Sequence, residues 1–69
     1  MDEIATKVQK ILQSNGYLYS YRLTASAEDG SIVVRGKVPI YYYKQMAQEV
    51  IRPVVADLSI KNLIEVVKT

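Results

Sequence analysis

The 69 residues contain no cysteine and no histidine. That excludes a disulfide framework, a zinc finger, a thiol nucleophile, an imidazole base and most transition-metal sites. Tryptophan and phenylalanine are also missing, so all aromatic character rests on six tyrosines. No apolar run approaches the ~20 residues of a membrane-spanning helix. No charged-then-apolar signal segment opens the chain either. A helix-like pattern follows Met1-Asp2-Glu3 at once, as expected of a module cut from a longer protein whose targeting segment lies elsewhere. Charge of one sign is scarce: nine Lys/Arg face seven Asp/Glu, a net +2, too little to imply nucleic acid. What remains is an ordinary globular composition, 49% hydrophobic and 23% charged. At this length a fold buries only about 60% of the unfolded surface, so the core is thin.

Residues 2–14 read as an amphipathic helix. Ile4, Val8, Ile11 and Leu12 recur at i, i+4, i+7 and i+8 beside Ala5, while Glu3, Lys7, Lys10, Gln13 and Ser14 take the wet side. Asn15-Gly16 is the expected stop, with Gly16 in the left-handed conformation. The period then changes to two. Tyr17, Tyr19, Tyr21, Leu23, Ala25 and Ala27 alternate with Leu18, Ser20, Arg22, Thr24 and Ser26, which predicts a strand from Tyr19 onward. Glu28-Asp29-Gly30 marks a hairpin, because Asp-Gly accepts the positive φ a tight turn demands. The return strand, Ser31–Val38, has Ile32, Val34, Gly36 and Val38 on one face and Ser31, Val33, Arg35 and Lys37 on the other.

Pro39 closes that strand and can open a helix in which Tyr43, Ala47, Val50, Ile51 and Val54 follow helical spacing. Pro53 lacks the donor that the Glu49 carbonyl would receive. Regular helix is therefore expected to end near Arg52, with a kinked extra turn as the alternative. Residues 58–67 alternate again, with Leu58, Ile60, Asn62, Ile64 and Val66 opposite Ser59, Lys61, Leu63, Glu65 and Val67. The order α-β-β-α-β predicts one α+β domain over residues 1–69, two helices packed on one face of a three-stranded mixed sheet. The hairpin strands are antiparallel, and the β-α-β unit sets the third strand parallel to the second. The order of strands across the sheet stays open.

The carboxylates are scattered. Asp2 and Glu3 sit in a helix start, Glu28 and Asp29 in a turn, and Glu65 on an outward strand face. General acid–base chemistry needs two that converge in a cleft. The loop around Asp29 is too short for a standard calcium site, and no Gly-rich phosphate cradle is present. No catalytic residue, metal site or cofactor is predicted, and the chain reads as non-enzymatic.

Two surfaces stand out. On the sheet face away from the helices, Arg22, Arg35, Lys37 and Lys61 are expected to emerge together among Ser20, Thr24 and Ser26, with Glu65 the one acid within the strands there. Such a platform suits anionic lipid headgroups at about 1 kcal/mol per cation; the competing reading is a solvated sheet face. The second surface is aromatic. Strand one starts where strand two ends, so Tyr17 and Tyr19 are expected near Tyr41, Tyr42 and Tyr43, with Lys44 close by. Amphipathic rings beside cations suit a membrane interface or a protein contact. Tyr21 and Tyr43 read as core, whereas Tyr41, Tyr42 and Tyr43 span too wide an arc to be buried together. Nucleic acid is not expected, because the outward strand positions carry no rings for base stacking and no G-x-x-G loop is present.

Asp29-Gly30 followed by Ile32, Val34, Gly36 and Val38 at alternate positions resembles the hairpin signature of the BON domain, a bacterial module named for an osmotically induced periplasmic protein and nodulation proteins. Ala47, Val50, Ile51 and Val54, then Ile60, Asn62, Ile64 and Val66, resemble its second helix and its final hydrophobic-x-Asn-x-hydrophobic strand. The likeness covers nearly the whole chain. It implies a non-catalytic module of the periplasm or cell envelope that binds phospholipid membranes or envelope proteins. Asp29, Gly30, Gly36 and Asn62 carry over as structural positions. One departure is local: Ala56-Asp57 stands where the family usually has a Gly-hydrophobic pair. The leading expectation is weak peripheral binding to an anionic phospholipid membrane through the basic face and the tyrosines. The alternative is protein–protein interaction or self-assembly, with outward Val33, Leu63 and Val67 or a free sheet edge docking the partner.

Overall fold

The computed structural model describes residues 2–68. Its elements are helix α1 (Asp2–Ser14), strands β1 (Thr24–Glu28) and β2 (Ser31–Val38), helix α2 (Tyr41–Val55) and strand β3 (Ser59–Val66). A short 3-10 helix, Tyr19–Tyr21, precedes β1. The predicted α+β order and mixed sheet are present. The sheet order is β1-β2-β3, with β1 antiparallel and β3 parallel to the central β2.

Alternation settles the faces. Ile32, Val34, Val38 and Ile64 are buried on the inner face, where they meet Val8 and Leu12 of α1 and Ala47, Ile51 and Val55 of α2. Glu28 pairs with Ser31 across a two-residue loop. Its residues, Asp29 (φ 49°) and Gly30 (φ 77°), both take the positive φ of a type I′ hairpin turn.

Three local expectations are corrected. The first strand begins at Thr24, not Tyr19. The cause is Asn15, whose Oδ1 accepts the N–H groups of Tyr17 (2.8 Å) and Leu18 (3.2 Å) and starts another turn after α1. That turn passes into the 3-10 helix. Leu18, which alternation assigned to the polar face, becomes fully buried. The left-handed residue at the end of this segment is Arg22 (φ 54°), and Gly16 is not among the positive-φ residues.

Leu23 then folds back over Gly36. A Cβ built on Gly36 would lie 2.5 Å from Leu23 Cδ2 and 3.4 Å from its Cα, and Gly36 has φ 147°. Space and backbone conformation both require glycine there.

Helix α2 takes the extra turn, running through Pro53 to Val55. Pro53 is on the wet side, while Ile51 and Val55 are buried. One missing bond at the surface is thus offset by another turn of burial. Beyond it, Ala56 has φ 55° and ψ −115°, and the Leu58 N–H donates to the Val55 carbonyl (3.2 Å). Those are the marks of a type II′ turn with alanine in the position that favours glycine.

Candidate functional site

The outer sheet face is built by register. Thr24, Ser26 and Glu28 of β1 lie beside Arg35, Val33 and Ser31 of β2. Those three in turn lie beside Leu63, Lys61 and Ser59 of β3, and Lys37 lies beside Glu65. Arg35, Lys37 and Lys61 therefore share a face, as alternation predicts, and no helix packs there. Arg22 does not join them, because it lies before β1 in the left-handed backbone that ends the 3-10 helix. The expected four-cation platform is reduced to three.

One of these three charges, that of Arg35, is balanced locally. Arg35 Nη1 donates to Glu28 Oε2 at 2.6 Å and Nη2 to Oε1 at 3.3 Å, while the Ser26 hydroxyl donates to Oε2 at 2.7 Å. The hydrogen bonds from Arg35 and then Ser26, reinforced by the positive charges of Arg35 and Lys61, hold the Glu28 carboxyl down at about 2. The same pairing raises the Arg35 pKa. Val33, expected to be available for docking, is only 2% exposed at the middle of the central strand between Ser26 and Lys61. Leu63 does stand out, at 51% exposed.

The tyrosines behave differently. The Tyr21 and Tyr43 rings meet with centroids 5.6 Å apart, tying the 3-10 helix to the first turn of α2. Both are half-buried against the core. Tyr17, Tyr19, Tyr41 and Tyr42 are each at least 60% exposed. β1 starts where β2 and β3 end, so Tyr17, Tyr19, Ile40, Tyr41, Tyr42 and Val67 all belong to segments at that end of the sheet. Among the described residues they are six of the seven large hydrophobic ones left exposed, Leu63 being the seventh. Arg22, Lys37, Lys44 and Lys68 belong to the same end, against Glu65 beside Lys37 and Glu49, which lines a groove with Tyr41, Tyr42 and Lys44. Val67, expected from sequence as an outward docking residue, is 41% exposed at this end; Ile40 and Lys68 are additions, and the signal available for them was their place just beyond strand ends.

Two amides fasten the helices to the sheet. Asn62 Nδ2 donates to the Lys44 carbonyl (2.8 Å) and to Gln48 Oε1 (3.3 Å). Gln9 Nε2 donates to the Leu23 carbonyl and Gln9 Oε1 accepts the Ala25 N–H, both at 2.7 Å. The Gln9 amide thus occupies two backbone groups on the free side where β1 begins, a role its place beside the α1 stripe did not reveal. No group of acids able to hold a metal ion occurs among the described residues.

The family model described as the BON domain matches residues 2–68. The chain belongs to the BON family. No curated protein and no solved structure matches it. BON domains are a non-catalytic binding family, and membership suggests a phospholipid-binding or interaction module of the periplasm or envelope. Within that frame Asp29, Gly30, Gly36 and Asn62 have physical tasks here: the hairpin turn, the passage of Leu23, and the joint between β3 and α2. Among the described residues no helix is long and apolar enough to cross a membrane.

Proposed function

We propose that this BON domain is a peripheral binding module for anionic phospholipid membranes, docking through its aromatic end rather than its sheet face. The observation that carries the reading is the gathering of exposed Tyr17, Tyr19, Ile40, Tyr41, Tyr42 and Val67 with Arg22, Lys37, Lys44 and Lys68 at one end of the sheet. Tyrosine rings partition to the headgroup layer, where apolar body and hydroxyl are both satisfied. Cations beside them contribute about 1 kcal/mol each near an anionic surface. Binding is weak and reversible, because the apolar contact is a few side chains and not an inserted helix. Arg35 contributes little, since Glu28 already neutralises it.

Co-sedimentation with vesicles tests this. Phosphatidylglycerol vesicles are expected to pellet the domain, and phosphatidylcholine vesicles are not. Tyr41→Ser/Tyr42→Ser is expected to lower the affinity roughly tenfold, and Lys44→Gln roughly fivefold, whereas Arg35→Gln leaves it within about twofold. Equal pelleting with both lipids, pelleting with neither, or a larger loss from Arg35→Gln than from the tyrosine pair overturns the proposal.

A further inference from the structure

The two edges of the sheet are treated differently. β1 is five residues long, and Gln9 fills backbone positions on its free side. β3 is eight residues long. The Val67 N–H donates to the Val38 carbonyl (2.8 Å), so by strand alternation the odd residues of this segment face β2 and the even ones face outward. The outward N–H groups are those of Ile60, Asn62, Ile64 and Val66. Among the described residues only that of Ile64 has a side-chain partner, the Oδ1 of Asn62 in the same strand at 3.3 Å. An exposed edge of this length is a template for another strand.

The residues of that edge are self-complementary. Around Leu63 the outer face reads Lys61, Leu63, Glu65. In an antiparallel pair of β3 strands centred on Leu63, each Lys61 lies opposite the Glu65 of the second copy. The two Leu63 side chains meet at the two-fold axis, and the outward backbone of Asn62 pairs with that of Ile64. The axis then falls on a non-hydrogen-bonded position, where side chains approach closest. On the helix side, an open groove of about 800 Å³ lies between α2 and Asn62, lined by Tyr41, Lys44, Gln45 and Gln48 among others. It leaves room for the partner's α2, and its two charged residues, Lys44 and Glu49, are of opposite sign.

We infer that two copies of this chain associate through β3 into a continuous six-stranded antiparallel-paired sheet. The occupant of the edge is a second copy, because the charge order that complements Lys61-Leu63-Glu65 is the same order read backwards. The strand pairing itself uses none of the tyrosines or cations assigned to lipid, and only the bordering groove shares Tyr41, Tyr42 and Lys44 with them, so the contact is tested in the absence of lipid.

Sedimentation equilibrium from micromolar to millimolar protein, in lipid-free buffer, tests it. A reversible monomer–dimer equilibrium is expected. Lys61→Glu alone and Glu65→Lys alone each set like charges opposite one another twice per dimer and are expected to weaken association about tenfold. Mixing those two variants is expected to restore it, since each then presents the charges the other lacks. The double exchange Lys61→Glu/Glu65→Lys is expected to restore it as well. Lys37 neighbours Glu65 within the sheet, so folding of each variant is checked by circular dichroism. Should Glu65→Lys not fold, Leu63→Lys, which sets two ammonium groups at the axis, replaces it and is expected to give monomer. A chain that stays monomeric throughout, or variants and mixture that all dimerise as the parent does, overturns the inference.

Discussion

The two ends of the sheet are made on opposite terms. At the hairpin end the chain turns twice in tight loops, at Asp29-Gly30 and at Ala56-Asp57, and shows water acids and hydroxyls: Glu28, Asp29, Asp57 and Ser59. At the other end it leaves rings and cations exposed. Only the inner rings, Tyr21 and Tyr43, are used in packing. A small domain has little apolar surface to spare, so the end that leaves four tyrosines outside the core is the one proposed for membrane contact. The hairpin end is finished by its own turns, whereas the aromatic end leaves its outer rings in water.

The strongest way to break this contrast is Gly36→Ala. The added methyl meets Leu23 and forces alanine to φ 147°, so the joint that seats the 3-10 helix against the sheet fails. A loss of about 2–4 kcal/mol is expected in urea unfolding, together with loss of vesicle binding. A loss under about 0.5 kcal/mol would mean that Leu23 does not pass over Gly36 as described.

The reverse exchange at the hairpin end has the opposite sign. Ala56→Gly relieves the positive φ of a type II′ turn, and the relief exceeds the extra freedom glycine gives the unfolded chain. A gain of about 1 kcal/mol is expected, with vesicle binding unchanged. Destabilisation by this exchange would show that the turn is not strained. The pair of glycine–alanine swaps thus sharpens the comparison, one end intolerant of a methyl group and the other better without it.

The smallest effect belongs to Glu28. Its carboxyl titrates at about 2, below its ordinary 4.5, because the charged form is hydrogen-bonded by Arg35 and Ser26. A carboxylate depressed by folding stabilises the native state above its unfolded pKa, and that contribution is lost as pH falls from about 4.5 towards 2. The pair is exposed and screened, so the change in stability is slight. Carbon-detected NMR titration is expected to give the low midpoint and, in Arg35→Gln, a midpoint raised towards 4.5. An unchanged midpoint in that variant would mean that Arg35 and Glu28 are not paired in solution.

Much of this was legible beforehand. The stripe of Ile4, Val8, Ile11 and Leu12, the Asp29-Gly30 turn and the alternation of β2 and β3 are written at periods that one segment shows by itself. Both helices, the mixed sheet and the shared face of Arg35, Lys37 and Lys61 follow from them. The Glu28–Arg35 pair was less visible, because it joins residues across a register rather than along a strand. The guarding of β1 by Gln9 was invisible for the same reason, its partners lying 14 and 16 residues away.

Sequence alone thus determined which strand faces look out and most of the core, Leu18 and Val33 being the exceptions, because helix and strand periods are local properties of the chain. Tertiary structure decided residues 17–23. Their alternation fits a strand, yet burying Leu18 and Leu23, seating Tyr21 on Tyr43 and capping with Asn15 favour a 3-10 turn, and that choice moves Arg22 from the sheet face to the aromatic end. It also decided the conformation of Ala56, which closes a turn between buried Val55 and β3 and takes the backbone that closure demands.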